Sequence, residues 1–201
     1  QKEQDFVYKK GPIYAQVVLA DEINRASPKT QSSLLEAMEE KQVTMDGNTY
    51  KIAEPFIVLA TQNPIEYEGT FSLPEAQLDR FMMKIQIGYP ERSHELRIFD
   101  KIDNQIKAED LLPVLSAADV LEMRQKVSKV HMTKELEEYI FDIIRATREN
   151  IDVSLGCSPR AAIALYKASK AKAFTENRDF VIPEDVKRLA EDVLSHRIIL
   201  K

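Results

Sequence analysis

A chain of 201 residues, 44% hydrophobic and 30% charged, is long enough to bury one good core, or a small core beside a modest second domain. Its 28 basic and 33 acidic side chains are mixed along the whole length, so the net charge of -5 hides no basic stripe and nucleic acid is not the default partner. Only five glycines, no repeat and a single cysteine, Cys157, exclude a solenoid and an intrachain disulfide, and point to a reducing compartment.

No apolar run approaches the roughly 20 residues that span a bilayer, and the opening QKEQDFVYKK lacks the apolar centre of a signal peptide, so a cytoplasmic protein is the economical reading. Gln1 in place of an initiator Met suggests an excerpt of something longer. QVVLADE, a Val-rich run ending in two carboxylates, predicts a fully buried parallel strand at 16–21. Ser27 as N-cap and Pro28 at the first helical position then open a helix through KTQSSLLEAMEEK. Leu34, Leu35 and Met38 make its apolar stripe, and Glu36, Glu39 and Glu40 its wet face. QVTM and TYKI flank a DGN turn, which predicts a hairpin within 42–54 whose tip projects into solvent. FIVLAT predicts a second buried strand at 56–61, with Pro64 stopping its continuation. A loop with Gly69 leads into LPEAQLDRF, a short helix, and MKIQI predicts a third strand at 83–87.

From Pro90 onward the period is helical, with no strand-like run before Arg178. Helices are expected at 91–104, 117–129, 134–149, 160–174 and 184–195. The clearest is 134–149, where Leu136, Tyr139, Ile140, Ile143, Ile144 and Thr147 share a face behind the cap Thr133. The fold class is therefore α/β with a parallel sheet over residues 1–90, followed by an all-α domain over 91–201. Lys167, Lys170 and Lys172 read as a solvated helix face, Cys157 as a packing residue, and Met82 and Met83 as core filling. His94, His131 and His196 have no ligand spacing.

Asp21 and Glu22 stand at the carboxyl end of a strand, the edge where open α/β sheets bind ligands. One carboxylate there can hold the Mg²⁺ shell beside a nucleotide's phosphates, and a second can orient and deprotonate the attacking water. Taken alone, the same acids read first as a solvated turn after a strand. Asn63 follows the second strand as the acids follow the first; its neutral amide can hold that water or the γ-phosphate, or simply form a turn before proline. Arg80 is either a surface partner of Asp79 or a planar cation offered to another subunit's γ-phosphate. Arg160, in GCSPRAA, opens a helix whose free N–H groups favour an anion; a cation is poorly placed there unless something negative sits opposite.

Together, GPIYAQVVLADEINRASPKTQSSLLEAMEEKQVTMDG, PFIVLATQNP and EGTFSLPEAQLDRFMMKI resemble the middle of a MoxR-type AAA+ ATPase. GCSPRA and FVIPEDVKRLAEDVLSHRI resemble its helical lid, so the likeness covers nearly the entire chain. The resemblance implies that Asp21 and Glu22 are Walker B, with Asp21 on Mg²⁺, Asn63 sensor 1, Arg80 the arginine finger and Arg160 sensor 2. The hairpin would be the pre-sensor-1 insertion and residues 1–13 the tail of the helix-2 insertion. It implies an ATP- and Mg²⁺-dependent ring, a hexamer, acting as a chaperone-like remodeller of a protein client or in cofactor insertion, with a von Willebrand factor A domain protein as partner. One departure is large: no G-x-x-x-x-G-K-[ST] occurs among these residues, so the Walker A loop that binds phosphate is missing and the chain alone is expected to be inactive. The family's Walker A strand lies between the sensor 1 strand and the strand after the finger helix, so a gap is expected there. A non-catalytic interaction module and, less favoured, a DNA-remodelling relative remain open; the hairpin's Lys41 and Lys51 are offset by Asp46 and Glu54.

Overall fold

The computed structural model describes residues 10–45, 47–63, 71–103 and 111–201; the stop at Pro64, the loop around Gly69, Asp46 of the hairpin turn and the first nine residues lie outside these. The α/β part runs β1 (Val17–Ala20), α1 (Pro28–Glu40), β2 (Gln42–Met45), β3 (Asn48–Lys51), β4 (Ile57–Ala60) and α2 (Glu75–Leu78). β1 and β4 pair in parallel from Val17 opposite Ile57 to Ala20 opposite Ala60. Ser27 caps α1 by accepting from the Thr30 amide at 3.3 Å, with Pro28 supplying the preset φ of a first helical residue. β2 and β3 form the expected antiparallel hairpin, with Gly47 at a φ of 78° in its turn. Ala37, Ile52 and Phe56 form the small core here, with Val18, Val43 and Val58 packed against it.

The expectation of fully buried strands does not hold: Val18, Ala20, Val58 and Ala60, on the face toward the small core, are only partly buried. Val17, Leu19, Ile57 and Leu59 share the other face and are each more than half exposed. Residues 83–87 do not form the predicted third strand. Extended chain becomes a strand only where a neighbour completes the ladder, and none lies beside this segment among the described residues; Ile87 is 92% exposed. Instead the Lys84 amide donates to the Asp192 carbonyl at 2.8 Å and Met83 packs on the helical core.

The remainder of the chain runs α3 (Arg92–Asp103), α4 (Ala117–Lys129), α5 (Lys134–Glu149), β5 (Val153–Leu155), α6 (Pro159–Thr175), α7 (Pro183–Leu194) and β6 (Ile199–Leu200), and the helical core lies among α5, α6 and α7. Leu136, Ile140 and Ile144 of α5 meet Ala161, Leu165 and Ala168 of α6 and Val186 and Val193 of α7. The short antiparallel ribbon β5–β6 is an addition to the helical reading. Lys170 corrects another expectation: it is buried, with Nζ donating to the Ser128 carbonyl at 2.7 Å, so it ties α4 to α6 and is no part of a solvated face. Met82, expected as core filling, is 45% exposed, whereas Cys157 is buried as expected.

Candidate functional site

The ends of β1 and β4 are joined by one side chain that the sequence did not single out for a task. Thr61 Oγ1 donates to Asp21 Oδ1 at 2.5 Å and accepts from the Glu22 amide at 2.9 Å. The backbones continue the pairing, with the Thr61 amide on the Ala20 carbonyl at 3.1 Å and the Ile23 amide on the Thr61 carbonyl at 3.0 Å. Glu22 stands in the left-handed region, φ 48° and ψ 54°, and turns the chain into a 3-10 turn over Ile23–Arg25. Buried Gln31 fixes that turn against α1 by donating to the carbonyls of Ile23 at 3.1 Å and Phe71 at 3.0 Å. The Glu22 carboxylate meets Arg25 at 3.0 Å with both side chains at least 40% exposed, a pair that contributes little to stability. Asn63 continues from the end of β4, so strand register brings Asp21, Glu22 and Asn63 to one sheet edge.

Arg80 and Arg160 form a second group. The expected alternative, a surface pair of Arg80 with Asp79, is not what forms. Arg80 Nη1 lies 2.9 Å from Glu39 Oε2, and Arg160 Nη2 lies 2.8 Å from Glu39 Oε1. The negative charge that Arg160 lacked in the sequence is therefore Glu39, near the end of α1. Nothing in the sequence marked Glu39 beyond its place on a wet helix face, because the partners are remote in the chain.

Asp79 turns the other way, toward Arg197, whose side chain is 3% exposed. Arg197 Nε donates to Asp79 Oδ1 at 2.8 Å and its Nη atoms donate to the carbonyls of Asp79, Phe81, Met82 and Val193. Ser158, the N-cap of α6, donates from Oγ to Asp79 Oδ2 at 2.8 Å. Beside this seam His196 Nε2 donates to the Phe81 carbonyl at 3.2 Å, while Nδ1 is buried without a partner among the described residues. Burial, with the nearby Arg197 charge, pushes the His196 pKa below its ordinary value. Gly156 lets this strand of chain lie against α5; an added Cβ would sit 2.8 Å from the Arg148 Cα and the Thr147 carbonyl oxygen. That close approach seats Cys157, whose amide donates to Thr147 Oγ1 at 3.0 Å, and so aims the start of α6 with Arg160 on it.

Residues 1–83 match the family described as ATPase family associated with various cellular activities (AAA), and residues 145–201 match the AAA lid domain. The chain is 50% identical over 199 residues to YeaC of Bacillus subtilis, covering 99% of this chain and 62% of that protein. It is 39% identical over 209 residues to Chaperone MoxR1 of Mycobacterium tuberculosis, covering 100% of this chain and 55% of that protein. A crystal structure from Cytophaga hutchinsonii superposes with a TM-score of 0.90 at 47% identity, over 96% of this chain and 61% of that one. The chain thus spans less than two thirds of each of these relatives. Core and lid matched in order, the two-carboxylate strand end, and relatives that carry the MoxR name together place this chain in the MoxR-type AAA+ ATPases.

Proposed function

We propose that this chain supplies the hydrolysis residues of an ATPase that works between the subunits of a ring, a hexamer. Asp21 and Glu22 fit a magnesium–nucleotide site in kind: Mg²⁺ takes hard oxygens, one or two carboxylates completed by water and phosphate, and among the described residues no larger cluster of ligands competes for it. When bound, the ion neutralises phosphate charge. Asp21 holds its shell, Glu22 takes a proton from the attacking water, and the Asn63 amide orients that water or the γ-phosphate without adding charge. Thr61 keeps Asp21 and the start of the Glu22 turn in fixed relation, which is the preorganisation such a step needs.

The observation that carries the reading is the placement of the two groups along α1. The carboxylates precede its first turn, while Glu39, which gathers Arg80 and Arg160, stands near its last, about 16 Å further along the axis. An arginine held there serves a phosphate presented by a neighbouring subunit better than one beside its own Glu22. Hydrolysis then responds to subunit contact and can move the lid, which suits a chaperone-like remodeller of a protein client or a cofactor-insertion motor in the cytoplasm, with a von Willebrand factor A domain protein as partner. No helix among the described residues is long and apolar enough to cross a membrane.

Mixing variants in the ATPase that carries its phosphate-binding loop tests this. Glu22→Gln leaves a dead site with an intact finger, and Arg80→Ala a sound site without one. Each alone should lose about a hundredfold or more in turnover, and co-assembled rings should recover activity at mixed interfaces. No recovery despite proven mixed assembly removes the trans assignment.

A further inference from the structure

The two arginines are not independent cations. Glu39 offers one carboxylate oxygen to each, 2.9 Å to Arg80 and 2.8 Å to Arg160, and the three side chains are 34%, 52% and 28% exposed, so the cluster opens to solvent while its anion is the most covered member. The segments that bear the arginines are themselves locked together: Ser158, two residues before Arg160, donates to Asp79, the residue before Arg80, at 2.8 Å, and Arg197 holds the other oxygen of that carboxylate. Two guanidinium groups brought this close repel unless an anion lies between them. Glu39 is the side-chain partner each arginine has among the described residues, and a guanidinium has five N–H donors in a planar fork. At 34% and 52% exposure, Arg80 and Arg160 can both turn donors toward a second anion on the open side.

We propose that Glu39 is a positioning residue that assembles Arg80 and Arg160 into one two-cation unit, addressed to a single terminal phosphoryl group of a nucleoside triphosphate. This rests on the reading of Arg80 as a phosphate-binding finger and extends it: finger and sensor act together on one phosphate, and a third residue sets their spacing before the nucleotide arrives. The triad's net charge of one cation also keeps the pair together in the absence of nucleotide, where two bare arginines would splay apart.

The test compares Glu39→Gln with Arg80→Ala and Arg160→Ala in the ring-forming protein, reading kcat and KM for ATP, ring assembly by light scattering and thermal stability. Gln has the shape of Glu but no charge, and its NH2 turns a donor toward one of the two guanidinium groups, so it cannot hold both arginines as the carboxylate does. The expected result is a kcat reduced about 10- to 100-fold, the scale of a misplaced catalytic group. KM should change less than about threefold, with assembly and melting unchanged. Adding Glu39→Gln to Arg80→Ala or Arg160→Ala should cost little more, since residues acting as a unit are not additive. A lid packed merely through Glu39 would instead lose stability and leave kcat alone. If both arginine variants are inactive and Glu39→Gln turns over normally, the proposal is overturned while the finger assignment stands. If the arginine variants keep normal turnover, both fall. Should Glu39→Gln fail to assemble, Glu39→Asp replaces it, keeping the charge but drawing it back by one methylene; unchanged kcat in that variant overturns the proposal, and a lowered kcat in assembled rings supports it.

Discussion

Arg197→Met removes a buried cation while keeping the volume and apolar stem of the side chain. What it strands is defined: the Asp79 carboxylate, 18% exposed, keeps only Ser158 among the described residues, and the carbonyls of Asp79, Phe81, Met82 and Val193 lose a charged donor. Breaking a buried ion pair on one side costs about 3–5 kcal/mol, and the partial exposure of Asp79 places this case near the lower end, about 3 kcal/mol. At about 2–4 °C per kcal/mol for a chain of this size, the melting temperature should fall by about 6–12 °C. Asp79→Asn is the control, because Arg197 keeps its backbone carbonyls and the amide keeps a hydrogen bond; about 1–2 kcal/mol is expected. Thermal unfolding followed by circular dichroism, completed as a double-mutant cycle with Arg197→Met/Asp79→Asn, isolates the pair. A fall of under 2 °C for Arg197→Met, or a pairwise coupling near zero, would refute the argument that this ion pair fastens the segment bearing Arg80 to the helical part.

Three further outcomes can be measured directly. His196 is held below its ordinary pKa of about 6.5, so the unfolded chain binds the proton first and stability should decline as pH falls below about 6.5; His196→Gln should flatten that decline in melting curves between about pH 8 and 5.5. Burial raises the Cys157 thiol pKa, so iodoacetamide should label the native protein far more slowly than the unfolded one, with equal rates contradicting the packed thiol. The 201-residue polypeptide, having no phosphate-binding loop among its residues, should neither bind ATP tightly nor hydrolyse it; micromolar affinity by calorimetry would overturn this.

Local signals in the sequence translated closely into structure, and non-local ones did not. Ser27 with Pro28, and Thr133, each announced a helix that starts where its capping hydroxyl stands, because a cap is decided within four residues. The carboxylates at the end of β1 and the motif arginines were visible for the same reason. Glu39 was not, since a glutamate on a wet face is ordinary until Arg80 and Arg160 arrive from distant segments. Arg197 likewise lies past the helix expected at 184–195 with no local signal to mark it, and only the fold reveals the carbonyls it collects. Residues 83–87 carried the alternation of a strand, but alternation describes one chain and a ladder needs two.

The left-handed turn at Glu22 has an evolutionary edge. For a residue with a Cβ, that backbone costs about 1–2 kcal/mol, whereas glycine would enter it freely and give the unfolded chain only about 0.4–1 kcal/mol of extra entropy. Glu22→Gly should therefore be neutral to slightly stabilising, despite losing the exposed contact to Arg25. A laboratory selection for heat resistance alone would accept the one change that removes the proposed base, so thermostable survivors would have to be screened for turnover before they were kept.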